Sequence, residues 1–165
     1  MIRNIVWTVI LCTVATILES TLFVKIAIFK GVVPDIALCI LVYSAYVNGT
    51  MTGQVSGFFS GLCRDFLSGA PLGLNCLVRT LIGAFAGIFK GAFFLDFFII
   101  PVILCTLATI IKAVIYFILH LIIVTVPIYS LTSPVFWIEV GLNALSSPLL
   151  FLILKQFKYI SPGRR

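Results

Sequence analysis

The stretch GTMTGQVSGFFSGLCRDFLSGAPLGL, residues 49–74, sets the problem for the whole chain. Glycine recurs at 49, 53, 57 and 61, Arg64-Asp65 follows at once, and Gly69 and Gly73 close the run. Spacing by four places the first four glycines in one row on a helix. Glycine inside a helix costs about 1 kcal/mol relative to alanine, and a charge in hydrocarbon is also costly. A sequence that carries both must recover the loss by close backbone packing and by paired charges.

The surroundings identify the solvent. Of 165 residues, 62% are hydrophobic and 10% charged, and the mean hydropathy is +1.26. Soluble domains carry about 25% charged residues, so water is the wrong medium here. Apolar runs of the roughly 20 residues needed to cross a bilayer recur along the chain. The expectation is one all-α polytopic membrane domain over residues 1–165. MIRNIVWTVILCTVATILEST (1–21) is read as its first membrane segment, not as a cleaved leader, because no small-x-small site precedes Glu19 and further segments follow.

The net charge of +6 is scattered, so it does not describe a nucleic-acid surface. Its one cluster, Lys155, Lys158, Arg164 and Arg165, reads as an anchor at the inner membrane face. Five cysteines, with no C-x-x-C among them and a single histidine beside them, argue against a disulfide framework or a zinc site. No cofactor or metal is expected.

Six membrane segments are predicted, at about 4–25, 33–48, 50–68, 72–90, 97–127 and 135–157. The breaks are KGVVPD (30–35), NGT (48–50), LSGAPLG (67–73), Lys90-Gly91 to Asp96, and PIYSLTSP (127–134), all ordinary Pro and Gly punctuation. The third break is short enough to make segments three and four a tight hairpin. Segment five exceeds what a crossing needs, so a tilt or an interfacial turn before Pro101 is expected. With the N-terminus inside, Arg3, Lys90, Lys155, Lys158, Arg164 and Arg165 face the cytoplasm, against Lys25, Lys30 and Arg64 outside. Positive charge inside therefore favours both termini in the cytoplasm. Trp7, Tyr46, Trp137 and Tyr159 then fall near the interfaces.

Gly83 and Gly87, with Gly91, make a second row on segment four. Lipid offers helices little hydrophobic drive to associate, so small residues that allow close approach must supply it. Two uses are open: the rows of Gly49, Gly53, Gly57, Gly61, Gly83 and Gly87 pack the hairpin, or one of them docks a helix of another protein. The intramembrane charges sort by depth at 1.5 Å per residue. Glu19 and Lys112 are close to level, as are Arg79 and Glu139, and each couple is predicted to pair inside the bundle. These are isolated pairs in an apolar setting, not the connected polar series of an ion path.

No enzyme is expected. Ser60 in GFFSG lacks the flanking pattern of a nucleophile turn, and His120, the sole candidate base, lies on another helix without an orienting third group. Asp35, Asp65 and Asp96 lie near helix ends on mixed sides and form no carboxylate dyad. No predicted loop exceeds about ten residues, the short connections usual between bundled helices, so no soluble domain is left to hold an active site.

GFFSGLCRDFLSGAPLGLNCLVRTLIGAFAG (57–87) resembles the central signature of the MreD family of rod shape-determining membrane proteins. The features carried over are a glycine-bearing helix (Gly57, Gly61), the aspartate Asp65, a Ser-Gly turn (Ser68, Gly69), and the Leu72-Gly73 that opens the next helix. VPDIALCILVYSAY (33–46) resembles the family's second segment. FWIEVGLNALSSPLLFLILKQF (136–157) resembles its last, with Asn143, Pro148 and a basic inner end at Lys155. Two departures are Arg64 in an ordinarily apolar place, where it is expected to neutralise Asp65, and the acidic Glu19.

The resemblance implies a non-enzymatic, multi-pass scaffold in the bacterial cytoplasmic membrane, serving the cell-elongation machinery and peptidoglycan synthesis. Implied partners are membrane lipid, an MreC-like bitopic protein and, less directly, the MreB filament and the RodA glycosyltransferase with its penicillin-binding transpeptidase. Self-association into a homodimer is a further option. The implied fold is similar to that of energy-coupling-factor S components, six transmembrane helices with both ends cytoplasmic. Asp65 is expected to accept backbone N–H groups of the turn or of the next helix start. The alternative is a substrate-binding S component of a vitamin transporter, for which Asn75, Arg79 and Glu139 are the candidate pocket groups. Its customary Ala-x-x-x-Ala patch is missing, since segment one offers only Ala15.

Overall fold

Each of the six apolar runs becomes a helix in the computed structural model, which describes residues 2–23, 32–69, 71–92, 99–123 and 132–157. Helix α1 (Ile2–Leu18) continues through a wider π-helical turn (Glu19–Phe23); the others are α2 (Ile36–Asn48), α3 (Thr50–Ser68), α4 (Leu74–Ile88), α5 (Ile99–Ile122) and α6 (Pro134–Gln156). Pro101, before which an interfacial turn is one of the two expectations for segment five, falls in the first turn of α5, where its missing N–H costs nothing. Lys25, Lys30, Asp96, Lys158, Tyr159, Arg164 and Arg165 lie outside the described residues.

Among the described residues, three helical stretches are long and apolar enough to cross a membrane: Ile2–Thr21, Ile99–Ile122 and Pro134–Gln156. The other three helices differ for separate reasons. Helices α2 and α4 are apolar but have only 13 and 15 residues. Helix α3 has 19 residues, about 28 Å at 1.5 Å per residue, but spends much of its surface on Gly, Ser and Thr.

Helix α2 is the axis of the bundle. It touches all five other helices, and around it α1, α3, α4, α5 and α6 follow one another, each packed on the next. Every residue from Ala37 to Val47 is buried, as expected of a helix that is apolar all round. Tyr46 is therefore inside at 2% exposure, not at an interface, whereas Trp7 and Trp137 do face outward. The outward faces of α1, α4, α5 and α6 are apolar, for example Ile10, Leu81, Phe117 and Leu149.

The two glycine rows meet each other. A Cβ at Gly53 would lie well inside 3.0 Å of the Gly83 backbone, one at Gly57 would overlap the Arg79 carbonyl, one at Gly61 would meet Asn75 and Cys76, and one at Gly87 would meet Thr50. Helices α3 and α4 thus pack backbone to backbone over four contact levels, which only glycine permits. Gly49 differs: it joins α2 to α3 and is covered by the Lys90 stem, whose Nζ donates to the Asn48 carbonyl at 3.0 Å. Within the described chain, the rows are used to close the hairpin.

Helix α6 carries Pro148 in its interior, which leaves the Ala144 carbonyl without its usual N–H donor. The Ser147 hydroxyl donates to that carbonyl at 2.9 Å, so the helix passes the proline without an orphaned acceptor.

The seam yields a test. Gly57→Leu is expected to abolish recovery of monodisperse protein in mild detergent. Gly141, on α6, is a helical glycine whose added Cβ would meet open space. Gly141→Ala should therefore fold normally and raise the melting temperature, by up to about 1 kcal/mol of stability.

Candidate functional site

The N-terminus of α2 would be the costliest end in the fold to leave bare, because it is buried. Its first N–H groups are all provided for, as helix ends require. Ile36 N donates to the Pro34 carbonyl and Cys39 N to the Asp35 carbonyl. Leu38 N donates to Asp35 Oδ1 at 3.1 Å, and Ala37 N donates to Glu19 Oε1 at 2.6 Å. Two carboxylates, one local and one from the π-helical turn of α1, thus sit at the positive end of α2, where the helix dipole favours them.

Those carboxylates draw in buried cations from three further helices. Asp35 Oδ1 takes Arg79 Nη2 at 2.9 Å and lies 3.7 Å from Arg64 Nη1, while Oδ2 takes Lys112 Nζ at 2.8 Å. Glu19 Oε2 takes Arg64 Nη1 at 2.9 Å and lies 3.9 Å from Arg79 Nη2. Lys112 Nζ also donates to Glu139 Oε1 at 2.7 Å. The six charges are three acids and three bases, and each comes from a different helical segment: Glu19 from the end of α1, Asp35 capping α2, Arg64 from α3, Arg79 from α4, Lys112 from α5 and Glu139 from α6. Their side chains are at most 10% exposed except that of Arg64, at 29%.

Uncharged groups complete the network. Arg79 Nη1 donates to Thr16 Oγ1 at 2.9 Å. Asp35 N donates to Asn143 Oδ1 at 2.7 Å, and Asn143 Nδ2 donates to Thr109 Oγ1 at 3.0 Å.

The predicted ion pairs exchange partners here. Arg79 reaches Glu19 and Lys112 reaches Glu139, with Asp35 between them, instead of Glu19 with Lys112 and Arg79 with Glu139. Depth along a helix is legible from residue counting, but rotation about the helix axis is not. The glycine seam also draws α4 tightly onto α3, so that Arg79 reaches Thr16 on α1. The charges accordingly form one connected set, not isolated pairs. Asp35, set aside as one of three scattered aspartates, is its hub. Pro34-Asp35 directly before an apolar run is a helix-start signature and was the signal available for it.

Arg64 does not neutralise Asp65. Consecutive helical residues point about 100° apart, which follows from 3.6 residues per turn, and Arg64 turns to Glu19 while Asp65 faces α4. Asp65, 1% exposed, accepts from Gly73 N at 2.9 Å, Asn75 N at 2.9 Å and Cys76 N at 3.2 Å. It also accepts from Asn75 Nδ2 at 2.9 Å. The expected backbone capping by Asp65 is thus present. Gly69 ends α3 and Gly73 precedes α4, both left-handed, at φ 64° and 96°, a conformation open to glycine at little cost. Ser68 is the last residue of α3, and Leu72 stands out from the turn at 69% exposure.

Asn75 and Tyr116 were not singled out as partners of that turn. Tyr116 Oη donates to Asn75 Oδ1 at 2.6 Å, which ties the turn to α5. Ser60 is fully buried and donates to the Gly57 carbonyl at 3.3 Å, a position with no access for a substrate.

Three variants test this account. Lys112→Met removes the cation that lies between the buried Asp35 and Glu139 carboxylates and should cost about 3–5 kcal/mol, read as a fall in melting temperature; exchanging Glu19 and Lys112 should not restore it, because the exchange sets a new carboxylate against Asp35. Asp65→Asn keeps the shape but weakens charge-assisted bonds and should cost about 2 kcal/mol in the same assay.

Neither a curated protein nor a solved structure matches this chain. A family model described as rod shape-determining protein MreD matches residues 1–157, which takes in all six helices, the hairpin turn and every member of the charge network. The chain belongs to the MreD family of rod shape-determining proteins.

Proposed function

We propose that this protein is a non-catalytic scaffold of the rod machinery, a six-span protein of the cytoplasmic membrane with both termini inside the cell and a fold similar to the S components of energy-coupling-factor transporters. The single observation that carries the reading is the six-charge network. Its three acids and three bases pair with one another, and those pairs join helix to helix. A transport site or an active site keeps polar groups in reserve for a ligand; this arrangement instead favours a stiff body that other proteins and lipid contact from outside.

In that role the glycines of the α3–α4 seam, the Asp65 turn with Ser68, Gly69, Leu72 and Gly73, and Asn143 and Pro148 of α6 set the shape of the body. Partners then meet apolar helix faces. An MreC-like bitopic protein is the proposed direct partner, with RodA and its transpeptidase alongside and the MreB filament reached indirectly.

The test is purification of the tagged chain from gently solubilised native membranes. Co-purification of a bitopic shape protein and cell-wall synthases is the expected outcome. Recovery of paired ATPase subunits with a coupling membrane protein would instead make it a transporter subunit and overturn the proposal.

A further inference from the structure

Helix α3 is long enough to cross a membrane, at 19 residues, yet it is not among the stretches apolar enough to do so. Its sequence TMTGQVSGFFSGLCRDFLS sets six Val, Leu and Phe residues against three glycines, five Ser or Thr, Gln54, Arg64 and Asp65. An Arg or Asp at mid-helix cancels roughly five or more such apolar residues. Arg64 and Asp65 lie about one turn from the end of α3, which lowers that cost without removing it.

The groups that make α3 a poor span are the ones that other segments cover. Gly53, Gly57 and Gly61 lie against the α4 backbone at Gly83, Arg79 and Cys76. Asp65 accepts from Gly73 N, Asn75 N, Asn75 Nδ2 and Cys76 N, all at the start of α4. Arg64 reaches back to Glu19 at the end of α1. Synthesis puts α1 and α2 ahead of α3 but α4 after it. Until α4 stands alongside, three glycines present bare backbone to lipid and Asp65 lacks all four of those bonds. Helix α4 has no such wait, because its own buried charge, Arg79, pairs with Thr16 and Asp35 on segments already made.

We propose that α3 and α4 enter the membrane as one unit, with α3 held there by α4 and not by its own hydropathy. The glycine seam then carries a polar helix across lipid as well as closing the hairpin, since backbone proximity supplies the attraction that apolar side chains do not. The inference rests on the six-span reading, which puts the α3–α4 turn outside the cell.

The test labels spheroplasts expressing the full chain with a membrane-impermeant maleimide. The reporter is Leu72→Cys in the turn, Leu72 being 69% exposed, and the chain without it supplies the blank for the native cysteines. Outside labelling is expected in the otherwise unchanged chain. Gly83→Leu leaves the α3 sequence intact and makes α4 more apolar, but sets a side chain against the Gly53 backbone; it should lose most of the labelling per chain. Gln54→Leu with Arg64→Leu, added to Gly83→Leu, should restore it, because α3 then crosses by hydropathy while the seam stays broken. Full labelling with Gly83→Leu alone, or no return with the two added substitutions, would overturn the proposal. Absence of outside labelling in the reporter chain itself would overturn the six-span reading, and the proposal with it.

Discussion

A buried carboxylate at the start of a central helix is the constraint on which this bundle depends. Helix α2 is enclosed on every side, so its first amides cannot turn to water and must be met by protein. Asp35 and Glu19 meet them. Once two acids are buried there, cations must follow, since an unpaired charge in a low-dielectric interior is far more costly than a paired one. Arg64, Arg79 and Lys112 answer from three more helices, and Glu139 balances the third cation from the last. The need to cap one helix thus becomes a contact shared by all six.

The glycine seam serves the same centre from another direction. Helices in lipid gain little from hydrophobic association, and backbone proximity takes its place. Closing α3 onto α4 at Gly53–Gly83 and Gly57–Arg79 brings the Arg79 side chain within reach of both α1 and α2. At the far end of the seam, Asp65 holds the turn and the first amides of α4 together. A long side chain at Gly57 would therefore act on the charges as well as on the seam.

For a protein of the rod shape-determining family, such a body is a reasonable use of 165 residues. Its buried charges face inward and pair with one another, while the outward faces of α1, α4, α5 and α6 are largely aliphatic and aromatic. Under the proposed role, specificity toward partners comes from the shape of these faces and of the α3–α4 turn. Rigidity inside is what keeps that shape constant.

The amino-acid order by itself determined the helices, their breaks and the hairpin, because apolar run length, Pro-Gly punctuation and four-residue glycine spacing are local quantities. It also marked Asp65 as a cap, since an acid a few residues before a helix start has one obvious set of donors. The family was legible from the order of motifs across segments two to four and six. What only the tertiary structure decided was the pairing of charges. Residue counting places Glu19, Lys112, Arg79 and Glu139 by depth, but partner choice depends on how each helix is rotated about its axis and on which helix stands in the middle. That is why Asp35 emerged as the hub only once α2 was seen at the centre, and why Arg64 went to Glu19 instead of to its neighbour in sequence.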